Sequence, residues 1–390
     1  MARASGEPPP ATLRSATRGS ETGTGLAREG SPRPLPPRGA APAPPASGSS
    51  RRRGSLAPFA IASVGFVLLS WLLFTVMGSA PPGIPWPHTP PSSGTPAGPP
   101  ALKIQHVVVI VLENREVGDV WALAPYERYL QGHYANATHF FALCHGSPPN
   151  YIAMTSGRAE YCGANLTGQV NAENLPDVVE HAGLTWDGYF ESMPSACYTY
   201  SQGTYVAWHN PFIAYDDILD NPSRCAAHVL PSAQFNESVA NGTLPTVSFY
   251  IPNSIDDCDY AALSVCDPWL DDFLTPILNA TSPPEQALVN HTAFFIVYDE
   301  GSTDAGYASP LITPDCLNTT GRALTTCGGQ VYFTIVSPYS VGTFYSSDAT
   351  SFNIESTIEW LFGLPSDGGY DGSSDFPPMT SLFGFASNSA

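Results

Sequence analysis

Four short stretches of this chain, residues 106–112, 246–251, 293–298 and 330–337, are almost unbroken runs of apolar side chains. A strand wetted on one face alternates apolar with polar residues, because successive side chains point to opposite sides. Runs without that alternation belong to strands covered on both faces, the environment of a parallel sheet between helices. Helix candidates at residues 150–156 and 354–362 separate and follow them. The pattern predicts an α/β fold, a three-layer sandwich with a largely parallel central sheet, in one domain over residues 101–390.

The preceding hundred residues are too rich in Pro, Gly, Ser and Arg to bury a core. Residues 1–56 read as a disordered tail and 80–100 as a stiff Pro-rich stalk. Between them, residues 57–79 hold an uncharged apolar run of the length that crosses a bilayer as one helix, about 20 residues. Arg51, Arg52 and Arg53 precede it and no basic residue follows before Lys103, which places the N-terminus in the cytoplasm and the large domain outside. A cleaved signal peptide ending at Gly78-Ser79-Ala80, with release of the domain, is the alternative.

Charge divides across the same segment. Nine of the 15 Lys and Arg residues lie before it with three Glu, leaving six basic against 31 acidic residues after it. Such an acidic domain repels the phosphates of nucleic acid and suits a saline or acidic exterior. All eight Cys follow the segment, as disulfides in an exported domain would, with Cys258/Cys266 and Cys316/Cys327 close enough to close small loops. None has zinc-finger spacing. Seven Asn-x-Ser/Thr sequons, from Asn136 to Asn318, lie on the same side and fit a glycoprotein.

Ligands of open α/β sheets bind beyond the carboxyl ends of the strands. There the first run is followed by Glu113-Asn114-Arg115, the second by Pro252-Asn253 with Asp256, Asp257 and Asp259, and the third by Asp299-Glu300-Gly301. Each of these is also an ordinary turn residue. Carboxylates delivered to one rim repel each other unless a cation sits between them, and hard oxygen donors suit Mg²⁺, Ca²⁺ or Mn²⁺. Ser147, ahead of Pro148-Pro149-Asn150, reads either as a helix N-cap or as a nucleophile at the positive end of a helix dipole.

Five ordered blocks resemble the phosphoesterase family that includes acid phosphatases and phospholipases C, within the alkaline phosphatase superfamily. They are Val109-Ile110-Val111-Leu112-Glu113-Asn114-Arg115, the segment from His145 through Ser147 and Asn150 to Gly157, Phe249-Tyr250-Ile251-Pro252-Asn253, Tyr298-Asp299-Glu300-Gly301, and Thr357-Ile358-Glu359-Trp360 continuing to Pro365. The resemblance implies an alkaline-phosphatase-like fold and hydrolysis of a phosphate ester through a phosphoserine on Ser147. It further implies one divalent metal ion held by Glu113, Asn114, Ser147, Asp299 and Glu300, with Asn150 steadying the phosphoryl group.

Two positions depart from the family pattern. Asp256-Asp257-Cys258 stands where relatives carry His-Asp-Cys, and Ser351-Phe352-Asn353 where a His precedes the last helix. Asp256 or Asp257 is therefore expected to add a ligand or an acid, and His145 or His139 to lie near Ser147. An acid phosphatase-like activity is the first expectation. A phospholipase C-like diesterase and a catalytically degenerate surface-binding glycoprotein are the alternatives. Neither a Gly-x-Ser-x-Gly elbow nor a His-Glu-x-x-His helix occurs.

Overall fold

A computed structural model describes residues 104–159, 169–302, 328–340 and 342–384. The expected tail, membrane helix and stalk (residues 1–100) and the Cys316/Cys327 pair lie outside the described residues. Among those described, no helix is long and apolar enough to cross a membrane.

Eight strands form one sheet: β1 (His106–Leu112), β2 (Ala135–Ala137), β3 (Trp186–Phe190), β4 (Val229–Pro231), β5 (Val247–Ile251), β6 (Thr292–Tyr298), β7 (Phe333–Val336) and β8 (Phe344–Tyr345), in the order β4-β3-β5-β1-β6-β7-β2-β8. From β4 to β6 every pairing is parallel. Every residue of β5, β6 and β7 is buried, and all of β1 except His106. Because alternate side chains face opposite ways, such strands must be covered on both faces, and the sandwich has three layers.

The sheet is mixed rather than uniformly parallel. The fourth apolar run became β7, which pairs antiparallel with both β6 and β2. An unbroken apolar run reports two-sided burial and carries no information on strand direction, so the parallel expectation fails for that strand. Strands β2, β3, β4 and β8 had no sequence signal. Three of them span three residues or fewer, and β3 is interrupted by Asp187 and Gly188. Gly188 answers to packing: a Cβ there would lie 2.6 Å from the Phe212 ring.

Four helices bear on the site and its support: α1 (Pro125–His133), α2 (Ser147–Ser156), α3 (Leu263–Leu278) and α4 (Ser351–Phe362). Asp267 of α3 accepts hydrogen bonds from the Tyr126 and Glu127 N–H groups at 2.9–3.1 Å, placing an anion at the positive end of α1. Two disulfides lie wholly within the described residues, Cys258–Cys266 and Cys197–Cys225. Among the sequons, Asn236, Asn241 and Asn290 are exposed, whereas Asn136 is buried in β2.

Glu127 on α1 is fully buried. Its Oε1 accepts the Tyr298 hydroxyl at 2.8 Å and its Oε2 has no partner. Burial, with Asp267 adding repulsion, pushes this carboxyl up to about 8. An unfolded Glu titrates near ~4.3, so between there and about 8 the folded chain binds the extra proton and stability falls as pH rises. Glu127→Gln is expected to flatten the thermal-unfolding midpoint over that window. A variant profile parallel to wild type would show that Glu127 does not titrate there.

Candidate active site

Strand register brings the first carboxylates together. Leu112 on β1 stands opposite Tyr298 on parallel β6, so the residues that follow, Glu113 and Asp299, emerge side by side. The Asp299 N–H donates to Leu112 O at 2.9 Å. On the other flank β5 leads into the turn carrying Asp257, whose carbonyl accepts the Glu113 N–H at 2.7 Å. Asn114 follows in the left-handed region at φ 59°, a conformation that Asn tolerates better than most residues. There its N–H reaches Asp299 Oδ1 (3.3 Å) and its amide reaches Glu113 Oε2 (3.1 Å) and Asp259 Oδ1 (3.2 Å).

Ser147 begins α2, and its Oγ donates to Glu113 Oε2 at 2.9 Å. It is not an N-cap: Gly146 holds that place, at φ 100°. Pro148 and Pro149 carry no N–H, which leaves the head of α2 with its dipole but fewer donors than most helix N-termini. Glu300 turns toward the loop ahead of the helix, its Oε2 accepting the Gly146 N–H at 2.7 Å and lying 2.9 Å from His145 Nδ1. In this arrangement Glu300 holds the approach to Ser147, and its charge also bears on Asp299, Asp259 and His209.

Three of the expected residues are engaged elsewhere. Asn150 is fully buried and spends its amide on the preceding loop, accepting from the Leu143 and Cys144 N–H groups (3.2 and 3.3 Å) and donating to the Cys144 and Gly146 carbonyls (2.7 and 3.3 Å). An amide so engaged positions the loop and has nothing left for a phosphoryl group. Asp256 points its carboxylate to the Asn253 amide, so only Asp257 of that pair joins the centre. His139 pairs with Asp348 at 3.3 Å on an exposed edge.

Sequence reasoning missed His209. It comes from the long insertion at 159–228, within Trp208-His209-Asn210-Pro211-Phe212, and a single His in an unreadable loop gave no signal. The fold buries it with Nδ1 3.2 Å from Asp257 Oδ2 and 3.5 Å from Glu113 Oε1, and Nε2 3.9 Å from Asp259 Oδ2. Tyr151 of α2 stacks on the imidazole at 5.7 Å and donates its hydroxyl to Glu113 Oε1 at 2.6 Å. An imidazole thus reaches the rim by a route other than the two positions where the family pattern places one.

The electrostatics are those of crowded buried anions. Burial first, then Asp299 and Asp257, hold Glu113 well above the usual carboxylate range. Asp299 is raised by burial and by Glu300, and Asp257 is pushed up to about 8, chiefly by burial. Burial lowers His209 to about 4, so its ring is neutral at neutral pH. Asp299 Oδ2 is buried without a hydrogen-bond partner. Glu113, His209 and Asp257 each offer a ligand atom within 4.8 Å of the others. Oxygen donors, a neutral imidazole and an orphaned carboxylate oxygen fit a divalent cation, which would remove the repulsion that now holds protons on these groups.

The sequence pattern of the phosphoesterase family matches residues 121–365. The chain belongs to the phosphoesterase family. It is therefore a hydrolase of phosphoric esters, and as a phosphoesterase it is similar to phosphatidylinositol-3-phosphatase of Mycobacterium tuberculosis, 28% identical over 72% of this chain and 83% of that one. A probable acid phosphatase of Kluyveromyces lactis is 30% identical over 43% of this chain, and a phosphate-repressible acid phosphatase of Penicillium chrysogenum 26% over 60%. The match spans only 40% and 53% of those fungal chains. A solved structure from Vibrio parahaemolyticus, described as a protein in the alkaline phosphatase superfamily, aligns over 67% of each chain with 12% identity and a TM-score of 0.45.

If His209 serves this centre, His209→Asn is expected to weaken divalent-cation affinity by at least about 10-fold, whether the ring is a ligand or orients one. Isothermal titration of the full chain with Mn²⁺ measures it. Unchanged affinity would remove His209 from the site.

Proposed function

We propose that this phosphoesterase hydrolyses phosphate monoesters by attack of Ser147 on phosphorus. The observation that carries the reading is the 2.9 Å hydrogen bond from Ser147 Oγ to Glu113 Oε2 at the head of α2. It aims a hydroxyl into the rim where the ends of β1, β5 and β6 gather their carboxylates. Glu113, Asn114, Asp299 and Asp257 would hold the cation with His209, and an imidazole among oxygens favours a transition ion such as Mn²⁺ over Mg²⁺ or Ca²⁺. When bound, such an ion supplies positive charge against the serine alkoxide and the phosphoryl oxygens.

The chain's own residues account for the rest. Glu113 Oε2 accepts the Ser147 hydrogen bond and so orients the oxygen lone pair that attacks. The dipole of α2 favours negative charge arriving at its N-terminus. In the first step the Ser147 Oγ–P bond forms, the ester P–O bond breaks, and the proton that the serine hydroxyl gives up is balanced by the one that the leaving alcohol takes from solvent. In the second, water attacks the phosphoserine, the Oγ–P bond breaks, and phosphate departs with the serine hydroxyl restored. His209 is the imidazole nearest the rim and supplies what the two departures from the family pattern removed.

Monoesters are favoured because the relatives named above are phosphatases. Acid conditions suit a domain carrying 31 acidic residues, whose mutual repulsion partial protonation relieves. The apolar run at 57–79, with Arg51–Arg53 before it, supports a place at the outer face of the cell membrane, where phosphorylated lipid headgroups are within reach.

Ser147→Ala is expected to lower turnover of a chromogenic phosphate monoester on the order of 10⁴–10⁶-fold, as loss of a serine nucleophile does elsewhere. Wild type should be faster in acid than at neutral pH and should lose activity to a chelator. Acid quenching during turnover should trap phosphate on wild type and not on the variant. Equal rates for the two proteins would leave a binding role for the fold, and faster turnover of a bis-ester would assign a diesterase.

A further inference from the structure

A second group of carboxylates lies at the other end of α2. Glu355 and Glu359 sit one turn apart on α4, and Asp367 and Asp371 come from the segment that follows it, Asp371 within a short 3₁₀ turn at Tyr370–Gly372. All four are withdrawn from solvent, with exposures of 0% for Glu355, 4% for both Asp and 5% for Glu359. Both oxygens of Glu355 and both of Asp371 lack any hydrogen-bond partner, as do Glu359 Oε1 and Asp367 Oδ2. None of the ion pairs seen between described residues involves these four carboxylates.

The backbone adds to the negative potential. Gly157 caps the C-terminus of α2 in the left-handed conformation at φ 58°, and Asp371 Oδ1 occupies the space where a Cβ on Gly157 would stand. A Cβ on Gly369 would meet the Ser156 and Gly157 carbonyl oxygens, and would lie 2.7 Å from Asp371 Oδ1. The helix dipole ends here in its negative pole, so the carboxylates are packed where anions are least welcome. Burying several carboxylates together costs several kcal/mol per ion by general desolvation arguments, and a fold keeps such a group when protons or a cation neutralise it.

We infer that Glu355, Asp367 and Asp371, with Glu359 beside them, form a second divalent-cation site, of the Ca²⁺ type, that ties α4 and the 366–372 segment to the C-terminus of α2. One oxygen from each of the first three lies within 4.8 Å of the others. Oxygens at opposite ends of a diameter around an ion bonded at about 2.3–2.6 Å are separated by no more than about 5 Å, so the spacing fits a shared ion. The donors are oxygens alone, without imidazole or thiolate, which selects against zinc and copper. Four carboxylates in a dry setting suit Ca²⁺, which accepts many protein oxygens, better than Mg²⁺, which keeps several waters. Without the ion, burial and mutual repulsion raise Glu355 well above its usual range, Glu359 to about 9 and Asp367 to about 7.

The site is separate from the catalytic rim. Ser147 and Ser156 are the two ends of one helix, roughly 13.5 Å apart at 1.5 Å per residue. Its loss can therefore be read independently of whether Ser147 is the nucleophile.

The test uses the full chain stripped with a chelator, then equilibrated with Ca²⁺ at neutral pH, comparing wild type with Glu355→Gln, Asp371→Asn and Asp299→Asn. Bound calcium is counted by mass spectrometry, and thermal unfolding is followed with and without Ca²⁺. Glu355→Gln and Asp371→Asn should each bind about one ion fewer per chain than wild type and lose the Ca²⁺-dependent rise in midpoint. Asp299→Asn should keep both. If either cluster variant fails to fold, Tb³⁺ added to wild type should show luminescence sensitised by Tyr215 and Tyr370 that Ca²⁺ displaces and that survives in Asp299→Asn. The inference is overturned if both cluster variants retain the wild-type calcium count and shift. It is equally overturned if Asp299→Asn binds no calcium and gains stability only on acidification, which would make the cluster a set of shared protons.

Discussion

The structure turns on the cost of keeping carboxylates away from water. A parallel sheet covered on both faces must end its strands in polar residues, and register decides which of them become neighbours. Here the pairing of Leu112 with Tyr298 sets Glu113 beside Asp299 in a buried rim. Repulsion between them is offset locally by hydrogen bonds from Ser147, Tyr151 and Asn114. Those bonds are what give the rim a direction, because each donor is drawn toward the same negative centre. The orientation of the Ser147 hydroxyl and the crowding of the carboxylates have a common cause.

Much of the central sheet was legible in the sequence because two-sided burial leaves a mark that composition cannot imitate. Residues 106–112, 246–251 and 293–298 became β1, β5 and β6 within a residue at either end. Direction was not legible, and the fourth run turned antiparallel. The peripheral strands escaped notice for a simpler reason: two- or three-residue strands have no period to detect. Helix α2 starts earlier than hydropathy suggested, at Ser147, since Pro148 and Pro149 fit a first turn and obscure it as an apolar pattern.

The candidate site divides along the same line. Residues that leave a strand, Glu113, Asn114 and Asp299, could be named because strand ends are positions of known meaning. Asp257 was half visible, paired with an Asp256 that turned elsewhere. His209 was invisible, because its contacts with Glu113 and Asp257 span sequence separations that no local pattern encodes. Asn150 was read as facing the substrate, when the chain used its amide to hold four backbone groups of the loop in front of the helix. A polar residue near a nucleophile has two employers, and only coordinates tell which one it serves.

The two disulfides give this division a cellular meaning. Cys197–Cys225 encloses the stretch that contains His209, and Cys258–Cys266 anchors the turn bearing Asp257 and Asp259 to α3. The inner half of the pocket is fixed by backbone pairing and forms wherever the sheet does. The outer half hangs on covalent cross-links that only an oxidising compartment sustains. A newly made chain would thus carry an incomplete pocket until thiol oxidation closed its far wall, so that maturation, rather than folding alone, would set when the enzyme becomes competent.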